Sequence, residues 1–327
     1  MKKIKVSICC ITYNQVDYIA DALDSFINQD TSFDYEILVN DDASTDGTLE
    51  VLTNYEARYP DLIKVVSHKE NQFSKGITDP VERFLLPISK GKYIALCEGD
   101  DYWIDAKKIQ KQFDIMEGDP TISLCTHAHR ALNASTSKPI RDYHPFDHAL
   151  TVDYADMLRK IQTFATASFF VRKDTYCQYA DSPIRPLKAH GDHKLSLYCG
   201  AVGKVYYIDE VMSIYRVMAK GSINRSIATS NHRSTIEKNL LDSRTELLEA
   251  IDEMTKREWS IAISEGIDTC KYKYAIATAN RKELLLNWKN RFSQEGSLTR
   301  VIVFIKNLCP EVFIPLFARI NRLRWRI

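Results

Sequence analysis

No Cys-x-x-Cys pair stands anywhere in this sequence, and its eight cysteines follow no regular spacing. That pattern argues against a disulfide scaffold and against a zinc site built on paired thiols. Cys9, Cys10 and Cys97 lie inside apolar runs, so they read as reduced thiols in the core of a cytosolic protein. No apolar stretch reaches the roughly 20 residues that a membrane-spanning helix needs. Neither sign of charge is in excess: the formal net charge is +1, which gives no general pull toward nucleic acid. Glycine-rich phosphate loops are missing too, since neither GxGxxG nor the Walker pattern occurs. Internal repeats and low-complexity tracts are also absent. The opening MKKIKVSICCITYN is basic, then apolar. Its apolar part is too short for a secretory signal, has no small-residue cleavage site and ends in polar Asn14-Gln15. It reads as a first strand, and the N-x-S sequences at Asn133 and Asn224 then meet no glycosylation.

With 327 residues the chain can bury a large core in one domain or two unequal ones. The first third alternates strand and helix patterns. Lys5–Thr12 is apolar on both faces, as buried parallel strands are. Val16, Ile19, Leu23, Phe26 and Ile27 give Gln15–Asn28 a helical period. Strands follow at Tyr35–Val39, Ile63–Ser67 and Tyr93–Cys97. A helix starts after Ser44-Thr45-Asp46-Gly47, and a further helical stretch, broken near Pro87, covers 81–89. This order implies an α/β fold, a mostly parallel sheet flanked by helices. Farther on, the pattern predicts a helix around Ile109–Met116, strands at Ile122–Thr126, Phe164–Val171 and Val205–Ile208, and a helix at His190–Cys199 ending in a turn at Gly200–Gly203. Residues 230–296 are charge-rich and read as helical.

Ligands of parallel α/β sheets bind beyond the carboxyl ends of the strands. Here the first strand ends in Thr12-Tyr13-Asn14, the second in Asn40-Asp41-Asp42, and the fourth in Glu98-Gly99-Asp100-Asp101. Ser44, Thr45 and Asp46 are explained by helix capping. Doubled acids are not, because a cap needs one side chain. Clustered carboxylates suit a divalent cation, Mn²⁺ or Mg²⁺, carrying a diphosphate. Trp103 either packs in the core or stacks on a sugar at the pocket rim.

These residues carry a resemblance. VSICCITYNQVDYIADALDSFINQ, YEILVNDDASTDGT and GKYIALCEGDDYW are similar, in order and spacing, to the signature blocks of family 2 glycosyltransferases, which have the GT-A fold. HGDHKLSLYCGAVGKVYYIDEVMSIYRV, residues 190–217, resembles the acceptor-side block. The resemblance implies an inverting enzyme that moves a sugar from a UDP-sugar to a hydroxyl of a glycan or lipid-linked saccharide, in cell-surface polysaccharide synthesis. It places Thr12, Tyr13, Asn14, Asp41 and Asp42 at the nucleoside, with Asp42 on the uracil. Glu98 and Asp100 occupy the DxD acids, with Asp100 and Asp101 at the metal, and Asp192 matches the catalytic base. Without the resemblance Asp192 reads more readily as a charge on a helix face, since surface acids are common.

Two positions depart from the family pattern: Gly191 stands where a second acid is usual, and Met218 where a histidine is frequent. Lys75, Arg83, Arg216, Lys220 and Arg225 are the cations considered for the diphosphate. The departures keep open a non-catalytic sugar-nucleotide or glycan-binding module. A nucleotidyltransferase is the other alternative, but TYNQVDY lacks the glycine and arginine its first loop normally carries. The expected organisation is a catalytic domain over 1–222, divided into a nucleotide-binding half (1–105) and an acceptor-side half (106–222), followed by a helical extension over 223–327. The tail 299–327 mixes apolar residues with six basic ones and is broken by Pro310 and Pro315. It reads either as a closing core helix or as a peripheral contact with the inner face of the plasma membrane.

Overall fold

The computed structural model describes residues 3–160, 163–220 and 233–278, in two compact units. The first unit holds nearly everything up to residue 220. Its centre is β1 (Val6–Thr12), which pairs in parallel with β2 (Tyr35–Asp41) on one side and β4 (Tyr93–Glu98) on the other. The double-sided apolar run of β1 follows from this position, since it has a strand on each edge and packed layers on each face. β3 (Ile63–Ser67) extends the parallel set beyond β2.

α1 (Ile19–Ile27) buries Ile19, Ala22, Leu23 and Phe26 on one stripe. It starts later than the helical period suggests, because the preceding backbone is used elsewhere. The N–H of Gln15 donates to Thr48 Oγ1 (2.9 Å) and that of Val16 to Asp46 Oδ2 (3.1 Å). α2 (Thr48–Arg58) leads to β3. A π turn over Val81–Leu85 and a 3₁₀ turn over Leu86–Ile88 precede β4.

Past β4 the sheet becomes mixed. β5 (Tyr102–Trp103) and α3 (Lys108–Gly118) lead into the long β6 (Ile122–Asn133), its hairpin partner β7 (Pro139–Tyr143), and β8 (Leu150–Val152). α4 (Tyr154–Arg159) follows. The expected strand over 164–171 is mostly not one. Thr166–Ser168 form a 3₁₀ turn, and only Phe170–Arg172 are extended, as β9, antiparallel to both β4 and β6. α5 (Lys173–Ala180) comes next, and α6 (Gly191–Val202) runs through the turn expected at Gly200. β10 (Lys204–Val217) pairs in parallel with β6 and antiparallel with β5 and β8. The order among the described residues is β3-β2-β1-β4-β9-β6-β10-β5, with β7 on β6 and β8 on β10.

The second unit contains α7 (Arg233–Met254) and α8 (Ser260–Thr278), together with 158–160 and 187–189. Leu247, Leu248 and Ile251 of α7 and Ala262, Ile263 and Cys270 of α8 are buried. Gly266 lets α8 approach closely, as a Cβ there would lie 2.2 Å from the Leu158 carbonyl oxygen. No described helix is long and apolar enough to cross a membrane. The tail 299–327 lies outside the described residues, as does Arg225.

Candidate active site

The ends of β1 and β2 are tied together by short polar bonds. Thr12 O accepts the Asp42 N–H (3.0 Å). Asn14 takes a left-handed backbone (φ 52°), donates its N–H to Ser44 Oγ, and accepts the Thr45 N–H on Oδ1, both at 2.8 Å. Asp46 accepts from the Val16 and Thr48 amides and from the Thr48 hydroxyl. The Ser-Thr-Asp run thus joins two loops as well as starting a helix. Tyr13 stands exposed on this edge.

Asp42 has its own loop to hold. Its Oδ1 accepts the Gln72 N–H (2.6 Å) and its Oδ2 the Phe73 N–H (3.1 Å). Each carboxylate oxygen retains a second lone pair for another donor. Asp41 is fully buried; Oδ2 accepts the Ser44 N–H (3.1 Å), while Oδ1 finds no partner.

The turn after β4 packs against β1. A Cβ on Gly99 would sit 2.6 Å from Gln15 Oε1 and 2.9 Å from Thr12 Cβ, so only glycine fits between the acids. Gln15 accepts the Thr12 hydroxyl (2.8 Å) and hydrogen-bonds the Asp100 carboxylate. Burial raises the pKa of Asp100, opposed by the Arg216 charge and the Gln15 bond. Burial, then the charges of Asp100 and Asp192, pushes Glu98 up to about 8.

Asp192 opens α6 and reaches this cluster. The hydroxyl of Thr166 lies 3.5 Å from Asp192 Oδ2 and stands close enough to Glu98 to favour its ionised form. Burial raises the Asp192 pKa, while the His190 charge, the His193 N–H on Oδ1 (2.7 Å) and Thr166 pull the other way. Beside α6 lies a cavity of about 250 Å³ lined by Asp79, Glu82, Arg83, Arg185, Gly191 and Lys194.

Two expected site residues have other positions. Asp101 is 3% exposed and turned inward, and its Oδ1 accepts the Arg216 N–H (2.8 Å). It holds β10 to the acidic turn. Trp103 is core. Its ring packs 4.7 Å from Phe26 and beneath Lys108 Nζ (4.0 Å), and its indole N–H donates to the Ala167 carbonyl (3.0 Å). No ring face is left to stack on a sugar.

Among the candidate cations, Arg216 is buried between Tyr18 and Tyr102, pairs with Asp21, and donates to the Asp100 carbonyl (2.8 Å). Lys75 pairs with Glu70, Arg83 lines the cavity, and Lys220 donates its N–H to Tyr18 Oη (3.4 Å). Asp209 and Glu210, the other acids of the acceptor-side block, are engaged by His144 with Tyr207 and by Lys111. Sequence reasoning missed Thr166 and Gln15. Gln15 follows a recognisable block directly, whereas nothing in the pattern around Thr166 marks it.

The model of glycosyl transferase family 2 matches residues 7–176, just over half of the chain. An uncharacterized protein of Mycobacterium tuberculosis is 32% identical over 216 residues, which is 66% of this chain and 60% of the relative. The match thus spans less than two thirds of that relative's length. The UDP-Glc:alpha-D-GlcNAc-diphosphoundecaprenol beta-1,3-glucosyltransferase of Escherichia coli is 35% identical over 112 residues, 34% of this chain and 41% of the relative. The crystal structure of S. aureus TarS in complex with UDP-GlcNAc superposes with a TM-score of 0.61 at 17% identity, covering 95% of this chain and 81% of that one, and so shares the GT-A fold. With the family model spanning the strands that carry the acidic turn, the chain belongs to glycosyl transferase family 2.

Proposed function

We propose that the first unit is an inverting glycosyltransferase that moves a sugar from a UDP-sugar to a hydroxyl of a glycan or lipid-linked saccharide during cell-surface polysaccharide assembly. One observation carries this reading. Asp192 meets Glu98, at the end of β4, across the Thr166 hydroxyl, so a candidate base stands beside the acids that would face a nucleotide diphosphate. Family membership supports transfer chemistry, and the E. coli relative is named for a UDP-sugar and a lipid-diphosphate acceptor.

The donor set fits a divalent cation of limited protein ligation. Among the described residues no three His, Cys, Asp or Glu side chains converge as a cage. Mn²⁺ or Mg²⁺ on a nucleotide needs only one or two carboxylates, and Asp100 is half-buried in the turn after β4. Asp100 would hold the ion, which when bound would supply positive charge against the departing diphosphate. Gln15 and Arg216 keep the acidic turn in place.

Thr12, Tyr13, Asn14 and the Asp41-Asp42 pair border the nucleoside, and the spare lone pairs of Asp42 accept from the base. Asp192 takes the proton of the acceptor hydroxyl as that oxygen bonds to the anomeric carbon. The bond from that carbon to UDP breaks in the same step, so the anomeric centre inverts. Thr166 and the His193 N–H hold the carboxylate in aim.

The test is a panel of nucleotide sugars, assayed for Mn²⁺-dependent binding and then for UDP release with saccharide acceptors, with product configuration read by NMR. Binding without release would favour the non-catalytic module. Turnover of a nucleoside triphosphate with a sugar phosphate would favour the nucleotidyltransferase. Retained configuration would remove the inverting step. For the tail, the proposal is a peripheral contact with anionic lipid at the inner face of the plasma membrane. Liposome co-sedimentation should weaken at high salt and vanish on deletion of 299–327; absence of binding by the full chain refutes it.

A further inference from the structure

The faces of β6, β7 and β10 beyond the core carry a patch that the reaction does not use. In register, Ser213 of β10 lies beside His129 of β6, and His129 opposite Tyr143 of β7. In the next row on the same face come Tyr215, Ala131 and Arg141. Three rings and a guanidinium therefore frame one alanine. The His129 ring lies 5.1 Å from Tyr143 and 5.9 Å, edge-on, from Tyr215, and Arg141 stands 5.4 Å over Tyr143. His129, Tyr143 and Tyr215 are half-buried and Arg141 is exposed, so the frame reaches the surface around a methyl floor. Two strand spacings make it about 10 Å across.

The neighbouring residues on the opposite face behave as structure: Arg130 and Asp142 form a two-bond ion pair at 2.6 and 2.9 Å. Arg141 has no such carboxylate partner among the described residues. Half-exposed rings with polar edges beside an unpaired guanidinium suit a ligand whose ring faces are apolar and whose rim is hydroxylated. That description fits a pyranose. The patch is also continuous with the candidate site along one strand. Tyr215 is followed by Arg216, whose N–H holds Asp101 and whose guanidinium holds the Asp100 carbonyl.

We propose that this face binds a saccharide chain, the acceptor of the transfer reaction, with a sugar ring seated over Ala131 between Tyr215, His129, Tyr143 and Arg141. The proposal rests on the transferase reading and names where its acceptor lies. The sugar packs against the exposed edges of the Tyr143, His129 and Tyr215 rings, and Arg141 donates to its hydroxyls.

The test uses the full chain on immobilised tri- and tetrasaccharides built from glucose, galactose and N-acetylglucosamine, with Mn²⁺-dependent UDP binding measured in parallel. The wild type should be retained on at least one saccharide. Tyr143→Ala and Arg141→Ala should each weaken that retention about tenfold or more, and Tyr143→Phe should restore it. UDP affinity should be unchanged in all three. Arg141 is exposed at the sheet edge, so its variant reads the patch even if Tyr143→Ala fails to fold. No retention of the wild type on any saccharide, or equal retention of both alanine variants, overturns the proposal. Loss of UDP binding by the wild type itself would be a failure of the transferase reading instead.

Discussion

Replacing Asp192 by asparagine keeps the shape of the side chain and removes its ability to take a proton. A positioned general base contributes roughly 10²–10⁴-fold. At about 1.36 kcal/mol per decade this is roughly 2.7–5.4 kcal/mol of transition-state stabilisation. The turnover rate should fall by that factor. UDP affinity should hold, because the nucleoside contacts proposed above lie at the ends of β1 and β2 and not on α6. Stability should move the other way. Burial raises the Asp192 pKa in the fold, whereas an unfolded aspartate ionises near 3.9. Above that pH, ionisation therefore costs the folded state more than the unfolded one, and the penalty is complete once the pH passes the folded pKa. Asparagine removes the penalty, so the melting temperature at neutral pH should stay level or rise while activity collapses. Single-turnover transfer, calorimetric UDP titration and thermal melts of both proteins read the three quantities. A transfer rate within a fewfold of wild type refutes the assignment. Asp209 and Glu210 would then be the next candidates, despite their bonds to His144 and Lys111.

Asp100→Ala should remove the Mn²⁺ dependence of UDP binding, read by calorimetry with and without the ion; unchanged metal dependence would show that Asp100 is not a ligand. Glu98 is raised from 4.5 to about 8, so the protein should lose stability as pH climbs through that interval, and Glu98→Gln should flatten the profile in thermal melts across pH 5–9. An equally steep profile in the variant would place the proton elsewhere. Trp103→Ala should cost about 3–5 kcal/mol in denaturant unfolding, as large aromatic truncations in a core do. A variant of near-native stability that loses only transfer would return Trp103 to the pocket.

The strands that position the site were readable because β1, β2 and β4 are buried on both faces and so write continuous apolar runs, with their ligand-facing ends marked by polar breaks. What escaped depends on chain segments far apart in sequence. The inward turn of Asp101 is set by the Arg216 N–H, 115 residues later. Both amides on Asp42 arrive from a loop 30 residues on. Trp103 was ambiguous because the same indole suits a core and a pocket rim, and only Phe26, Lys108 and the Ala167 carbonyl decide between them. The residues of 164–171 favour extension, so the pattern predicts one strand. The chain instead bends at Thr166–Ser168, and that bend brings the Thr166 hydroxyl near both Glu98 and Asp192.

The bend also bears on the missing acid at Gly191. A Cβ at that position would meet nothing within 4 Å, and its backbone is not left-handed, so neither space nor conformation demands glycine there. A second carboxyl nevertheless stands by Asp192, supplied by Glu98 from another element through Thr166. Two neighbouring carboxylates in a partly buried site do not both ionise easily, and the conflict is relieved when one keeps its proton. Glu98, pushed to about 8, is the one that keeps it at neutral pH. Burial raises the pKa of Asp192 as well, opposed by His190, the His193 N–H and Thr166. A second acid can therefore stand near Asp192 in space without standing next to it in sequence.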